Sequence, residues 1–457
     1  MSSRVDRDED VRRSYARDAS GLELVPEGVS RPADEREIVE LLRQASAEGT
    51  AVTPAGAQTS TTGASITERG VLLSLAALDQ VLDLDVAART VRVQPGVRLG
   101  ALKRLLAPQG LMFAPDPTSE EDCTVGGAIA CNASGARTLR YGATRAHVQG
   151  LRVVLASGEV VELARTALEK NTVGYALAHD PVDWFVGSEG TLGVVVEATL
   201  HLLPLPERVT GLGIPFRSEA AALAFVVAAR ESARVKARCL EYFDAPALEI
   251  ARTAHGGNWA AGAAAFVYAE EAGHADDEPP LEDWIALAES HDATVDDVLV
   301  FEGESALRDA RRMRHAVPAT MNERGASRRA AGGRKLSTDW AVPYRRLAEM
   351  IAAARALADE AGIAQAVTYG HAGSGHPHQN FIADDAAERE RIEAVIGRTL
   401  ERVLAMGGTV AAEHGIGKVK RRWLPLQATP LQLGVMRAVK RELDPHGILS
   451  PGNVLDG

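Results

Sequence analysis

The sequence predicts a mixed chain of helices and strands in more than one domain, and three observations carry that reading. Residues 35–48 place Ile38, Leu41, Leu42 and Ala45 at helical spacing, with Gly49 as a stop. Residues 151–163 alternate as two strands around the turn residues 156–159, a hairpin. Pro204 and Pro206 mark a boundary, beyond which Ala-rich helices alternate with short apolar strands such as residues 264–268. The 457 residues correspond to roughly two to four domains and suffice for a large core.

In chain order, a short strand at residues 51–53 runs into the uncharged, hydroxyl-rich loop 54–63. Its glycines let backbone N–H groups converge and its Ser and Thr hydroxyls donate, as a diphosphate cradle requires; a plain flexible loop has the same composition. The loop is neither G-x-G-x-x-G nor a P-loop, and the run ending at Lys418 misses the P-loop pattern because Ala412 stands where glycine is needed. Residues 91–96 alternate like a strand ending in a turn, followed by a helix through Leu99, Leu102, Leu105 and Leu106. Residues 123–135 are so low in bulk that the backbone can approach a flat ligand, or pack tightly as a buried helix and loop. Residues 187–193 form another small-residue loop leading into the apolar strand at 194–196. Residues 276–280 read as a solvated loop. A basic island spans 308–335; residues 325–334 of it read as a solvated, partly mobile loop, whereas Arg314 sits in a helical pattern. The end, 443–453, is a turn-rich tail after a helix.

Composition narrows the classes of function. A net charge of −12 disfavours a nucleic-acid backbone or an anionic membrane as a general partner. Cys123, Cys131 and Cys239 are odd in number and contain no C-x-x-C, which argues for a reducing compartment and against a disulfide framework or an iron–sulfur cluster. Residues 1–17 are dense in Arg and Asp without an apolar core, unlike a signal peptide, and no run approaches the roughly 20 apolar residues of a membrane span. The chain reads as cytoplasmic.

The stretch richest in chemistry is 369–380, where His371, His376 and His378 fall among Gly and Pro. Downstream, Glu413 and His414 stand side by side within the small-residue run 407–418. Two imidazoles and a carboxylate are a usual ligand set for a divalent metal, with a further position open to substrate. A neighbouring unligated histidine suits proton transfer near neutral pH.

Taken together, these segments resemble the FAD-linked oxidoreductases of the vanillyl-alcohol oxidase (PCMH-type) superfamily. Within it, they are similar to the group of D-lactate dehydrogenases, D-2-hydroxyglutarate dehydrogenases and glycolate oxidase D-subunits. The resemblance covers nearly the whole chain: 54–63, 124–135, 141–142 and 187–193 are similar to the flavin-binding loops, and 335–343, 371–380, 407–418 and 444–453 to the C-terminal signatures. It implies an α+β fold: a PCMH-type FAD domain of two subdomains over 1–205, a cap domain with an antiparallel sheet flanked by helices over 206–410, and a segment 411–457 returning to the FAD domain. FAD, held without a covalent link at the 54–63 loop (which has no His), would engage Pro54, Gly56, Ala57, Gln58, Thr59, Ser60 and Gly63. Further contacts would come from Pro117, Thr118, Thr124, Gly126, Gly127, Asn132, Ser134 and Gly135, then Tyr141, Gly142, Glu189, Gly190, Gly193 and Asn453.

The resemblance also implies a divalent metal, zinc or manganese, on His371, His378 and Glu413. His414 would be the base, Arg314 and Asn380 would hold the substrate carboxylate, and Lys335 would assist. Where the family reads H-x-G-D-G-N-x-H, this chain has Ser374 for the Asp and His376 for the Asn. The implied reaction oxidises a D-2-hydroxy acid to the 2-oxo acid by hydride transfer from C2 to flavin N5, with electrons leaving to a separate protein, quinone or dioxygen. Homodimerisation is left open. Alternatives are a metal-independent flavin oxidase of sugars or aldonolactones, a catalytically silent flavin subunit, or a metallohydrolase using the same His/His/Glu set.

Overall fold

The computed structural model describes residues 5–166, 168–175, 179–276 and 278–455. The first four residues of the Arg- and Asp-rich start and Asp277 of the loop expected at 276–280 lie outside them. The chain forms two units: Met1–Gly135 with Gly142–Leu205 and Glu413–Gly457, and Ala136–Tyr141 with Pro206–Ala412.

Among the described residues the first unit contains a four-stranded sheet, a five-stranded sheet and the short antiparallel pair Leu111–Met112 with Leu203–Pro204. Strands β1 (Val5–Asp6), β2 (Gly28–Ser30), β3 (Val52–Ala55) and β4 (Val71–Ser74) lie in the order β1-β2-β4-β3, with β4 parallel to both β2 and β3. The helix Glu35–Glu48 makes the crossover from β2 to β3. Asp34 caps it by accepting from Glu37 N at 3.0 Å, and Gly49 ends it at φ 68°. Its predicted stripe of Ile38, Leu41, Leu42 and Ala45 is buried against Val52, Val71 and Leu73. Next come β5 (Val81–Asp85), β6 (Thr90–Val93), β7 (Leu111–Met112), β8 (Val148–Val154), β9 (Val160–Ala164), β10 (Val194–His201) and β11 (Leu203–Pro204). Five of these build an antiparallel sheet, β5-β6-β10-β8-β9, in which β8 and β9 are the predicted hairpin. The tail returns to the first sheet: Val52 N donates to Ile448 O and Ser450 N to Val52 O, both at 2.8 Å, seating Leu449 parallel to β3.

The second unit is built on β12 (Arg208–Phe216), β13 (Ala237–Asp244), β14 (Ala265–Gly273), β15 (Leu299–Glu302), β16 (Gly332–Ser337), β17 (Val367–His371) and β18 (His376–Asp385). They form one antiparallel sheet in the order β15-β12-β14-β13-β17-β18-β16. Helices Ala245–His255 and Gly303–Ala326 pack together over one face, where Phe243, Phe266, Tyr268, Met313, Val317 and Met321 make the core. The α+β class and the helix-flanked antiparallel sheet agree with the sequence.

One expectation is corrected. Residues 325–334 are not a continuous loop: the helix runs to Ala326, a 3-10 turn follows at Arg329–Ala331, and β16 begins at Gly332. Only the exposed turn fits the solvated description. The ends are pinned by close backbone approach, since a Cβ on Gly325 would meet Lys335 N at 2.6 Å and one on Gly333 would meet Ala383 O at 2.2 Å.

Candidate active site

In the first unit the small-residue loops, distant in sequence, converge. Gln58, at φ 56°, donates through Nε2 to the carbonyls of Tyr15 (2.8 Å) and Ser65 (3.2 Å), which folds the loop 54–63. That loop lies on the start of the helix Val125–Cys131, where a Cβ on Gly56 would stand 2.2 Å from Thr124 Oγ1. Thr124 caps the helix by accepting from Gly127 N at 3.2 Å, and Asn132 ends it at φ 49°. Gly187 N and Glu189 N each donate, at 2.9 Å, to the carbonyls of Ile129 and Ala130. Asn453 Nδ2 bonds both Ala64 O (2.8 Å) and Glu189 O (3.3 Å), so one amide spans two loops. Gly190 lies against Pro54, and Gly135 against the Asp116 carbonyl beside Pro117 and Thr118. Ala57, Thr59 and Ser60 are half-buried, leaving loop amides and hydroxyls within reach of a ligand, while half-buried Gly127 and Ser134 direct their donors to Thr124 and Glu413. That donor chemistry fits a flavin dinucleotide.

Several expected cofactor residues have other work. Gly126 and Gly193 are packing positions, against Pro95 and against Val153 and Phe185. The Glu189 carboxylate accepts from Ile416 N (2.6 Å) and Gly417 N (2.7 Å), fastening the segment that carries Glu413 and His414. Burial pushes its pKa up, and those two amides pull against it. Lys418 extends the tie, donating to Asn453 Oδ1 (2.7 Å) and Gly63 O (3.1 Å), with its pKa lowered by burial to about 8. Glu413 accepts from Ser134 Oγ at 3.1 Å, and the His414 carbonyl accepts from Thr62 Oγ1 at 3.4 Å. Tyr141 groups with the second unit, in the short helix Thr138–Tyr141 against β13, whereas Gly142 stays with the first.

In the second unit the chemistry occupies the face of the sheet under the helices Ala245–His255 and Gly303–Ala326. Strand alternation and register put Glu241 of β13, His371 of β17, His376, His378 and Asn380 of β18, and Lys335 of β16 on this one side. Glu241 is completely buried. It accepts from Arg314 Nε at 2.6 Å and from His371 Nδ1 at 2.6 Å. Burial alone would raise its pKa, but the charges of His371 and Arg314 outweigh it and hold the carboxyl at about 2. With Nδ1 donating to Glu241, the other ring nitrogen, Nε2, lies 3.2 Å from Arg314 Nη2. Arg314 lies on the helix Gly303–Ala326, where Pro318 lacks the N–H that would otherwise bond the Arg314 carbonyl.

The adjoining pair, His376 and His378, meet edge to face with ring centroids 4.6 Å apart. His376 Nδ1 donates to the Trp340 carbonyl at 2.7 Å, and Nε2 is 3.4 Å from Asp339 Oδ1. Gln379, pointing to the opposite face, fixes the segment bearing Asp339. Its carbonyl accepts from Thr338 N (2.9 Å), its amide donates to Thr338 Oγ1 (3.2 Å), and its Oε1 accepts from Trp340 Nε1 (3.2 Å). Asn380 is fully buried, and its Oδ1 has no hydrogen-bond partner among the described residues. Such an orphan costs roughly 1–3 kcal/mol unless a ligand satisfies it. Half-buried Lys335 donates to Asn322 Oδ1 at 2.8 Å, and burial lowers its pKa to about 8.

Sequence reading missed Glu241 and assigned no role to Asp339, which falls within the signature 335–343. The available signal for Glu241 was a lone acid among Cys239, Leu240, Tyr242 and Phe243, in a strand otherwise apolar. A second buried cluster was missed as well: Glu270 accepts from Arg137 Nε (3.1 Å), Arg238 Nε (2.7 Å) and the Tyr268 hydroxyl (2.9 Å).

Comparison with known proteins gives this arrangement a family. Residues 26–164 match the FAD binding domain family, and residues 205–454 match the family of FAD linked oxidases, C-terminal domain. The chain is 32% identical over 447 residues to the glycolate oxidase subunit GlcD of Bacillus subtilis (strain 168), covering 96% of this chain and 91% of the relative. It is 32% identical over 444 residues to a D-2-hydroxyglutarate dehydrogenase of Xanthomonas citri pv. viticola, covering 94% and 89%. It is 30% identical over 449 residues to a D-lactate dehydrogenase of Anaerostipes hadrus, again covering 94% and 89%. Among solved structures, an alkyldihydroxyacetonephosphate synthase shares the fold at a TM-score of 0.74 and 17% identity, over 99% of this chain and 83% of that one. With both of its halves matched and its relatives aligned nearly end to end, this chain belongs to the FAD-linked oxidases.

Proposed function

We propose that this protein is an FAD-dependent dehydrogenase that oxidises a D-2-hydroxy acid, of the D-lactate kind, to the 2-oxo acid. One observation carries the reading: relatives aligned over 94–96% of this chain are named for glycolate, 2-hydroxyglutarate and lactate. All three molecules present a hydroxyl on the carbon next to a carboxylate. Support comes from a buried sheet face bearing a guanidinium, imidazoles and the unsatisfied amide of Asn380.

FAD, when bound, supplies the acceptor, at N5, for the hydride leaving C2. His371, His378 and Glu413 would hold a divalent cation, zinc or manganese, which would supply Lewis acidity to the hydroxyl. The Glu241–His371 bond suits that role, because a carboxylate on Nδ1 orients the ring and makes Nε2 the better donor. His414 takes the hydroxyl proton as general base. Arg314 would meet the substrate carboxylate from its Nη end, since its Nε is already on Glu241 and its Nη2 lies against His371. Asn380 orients the substrate through its amide, and Lys335 adds positive charge. Electrons then pass to a separate acceptor.

The test is a screen of glycolate and of paired D- and L-2-hydroxy acids with an artificial dye acceptor, with and without added zinc or manganese. D-enantiomers should reduce the dye, and a chelator should abolish activity that the metal restores. Turnover of an aldonolactone, and of no 2-hydroxy acid, would overturn the proposal.

A further inference from the structure

We propose that Asp339, His376 and His378 form a seat for a divalent cation, distinct in two of its three ligands from the set in the proposed function. His376 stands where the resemblance expects asparagine, so the seat belongs to this chain rather than to a shared pattern. All three side chains are buried within the second unit, and their ligating atoms lie within 4.8 Å of one another.

The hydrogen bonds dictate what the site can hold. The Trp340 carbonyl can only accept, so His376 Nδ1 carries a proton, and in the neutral ring the lone pair is on Nε2. That lone pair faces the Asp339 carboxylate at 3.4 Å, deep in the protein. Two electron-rich atoms at that distance repel unless something positive lies between them. Two ligands of a tetrahedral zinc, each at ~2.1 Å from the ion, stand about 3.4 Å apart. A proton would need only these two atoms, whereas a dication also uses His378, which the strand sets on the same face two residues on. The support is rigid: the carbonyl on Nδ1 fixes the His376 ring, and Gln379 holds the Asp339 segment by three hydrogen bonds.

Cobalt(II), whose visible absorption reports imidazole and carboxylate ligation, is titrated into metal-stripped, flavin-loaded protein and into H376N, D339N and H371A. Flavin absorption and circular dichroism show which variants fold. The wild type should bind cobalt, and H376N and D339N should each weaken binding by about tenfold or more. Unchanged affinity in H376N overturns the seat and leaves a protonated His376–Asp339 pair as the reading of that contact. If H376N does not fold, D339N, which is close to isosteric, decides by the same criterion. H371A separately tests the ligand set of the proposed function: unchanged affinity there removes His371 from that set without touching the present proposal. No cobalt binding by the wild type overturns both.

Discussion

Glu241 holds a guanidinium and an imidazole on one buried carboxylate. Removing the acid leaves Arg314 buried without its counter-charge, the costly way to break such a pair. Glu241→Ala should lower the unfolding free energy by about 3–5 kcal/mol, read from urea denaturation. A loss under about 1 kcal/mol, the scale of an exposed pair, would contradict the burial described here. His414→Ala should keep its flavin spectrum and lose about 10²–10⁴-fold in turnover with a D-2-hydroxy acid; near-normal turnover would remove it as the base. Lys335 sets a pH limit. Its folded-state pKa is lowered from 10.5 to about 8, so the ammonium is charged below about pH 8 and neutral above. Any help it gives to an anionic substrate is therefore lost as pH rises through 8. Its effect on stability has the opposite sign, since burial penalises the charged form and the penalty is relieved at high pH. kcat/KM should fall above about pH 8 in the wild type and hold to higher pH in Lys335→Arg. Identical profiles would show that Lys335 does not address substrate.

Between β17 and β18 the turn Ala372–Ser374 ends at Gly375, at φ 70°, where a Cβ would lie 2.0 Å from the Val342 carbonyl. Gly375→Ala should cost about 1–3 kcal/mol in thermal or urea unfolding, because it combines left-handed strain with a backbone clash. A neutral result would mean that the turn relaxes. Elements whose signals are local were legible in the sequence. The helix Glu35–Glu48 declares its stripe and its stop, and β8–β9 declares its hairpin by alternation around Ser157 and Gly158. The histidines of β17 and β18 were legible as a cluster because a tight hairpin keeps near neighbours together. Their partners were not: Glu241 is 130 residues from His371, and nothing local marks that pairing. Residues 325–334 were misread because β16 becomes a strand through pairing with β18, against a local composition rich in Arg and Gly.

Across the chain, the last residues complete the first unit rather than trail from it. Asp444 accepts from Ile448 N (3.0 Å) and Leu449 N (2.8 Å), shaping the turn that lays Leu449 beside β3 and carries Asn453 to the loops at 64 and 189. A chain ending at Leu443 should therefore be purified without flavin colour; full FAD content would show that the loops hold themselves. That return, like the strand order β15-β12-β14-β13-β17-β18-β16, rests on contacts between distant residues, which composition and spacing do not encode. Among the described residues no helix is long and apolar enough to cross a membrane, as the sequence suggested.

Because side chains along β18 alternate, His376, His378 and Asn380 share one side while Pro377 and Gln379 take the other. Loss of a single codon between Ala372 and Gly375 would invert that assignment, carrying a proline and a glutamine onto the face under the helices Ala245–His255 and Gly303–Ala326 and three chemical groups onto the other. The hairpin's length, more than the identity of its turn residues, is thus what inheritance must preserve, and insertions or deletions there should be far rarer among functional descendants than substitutions.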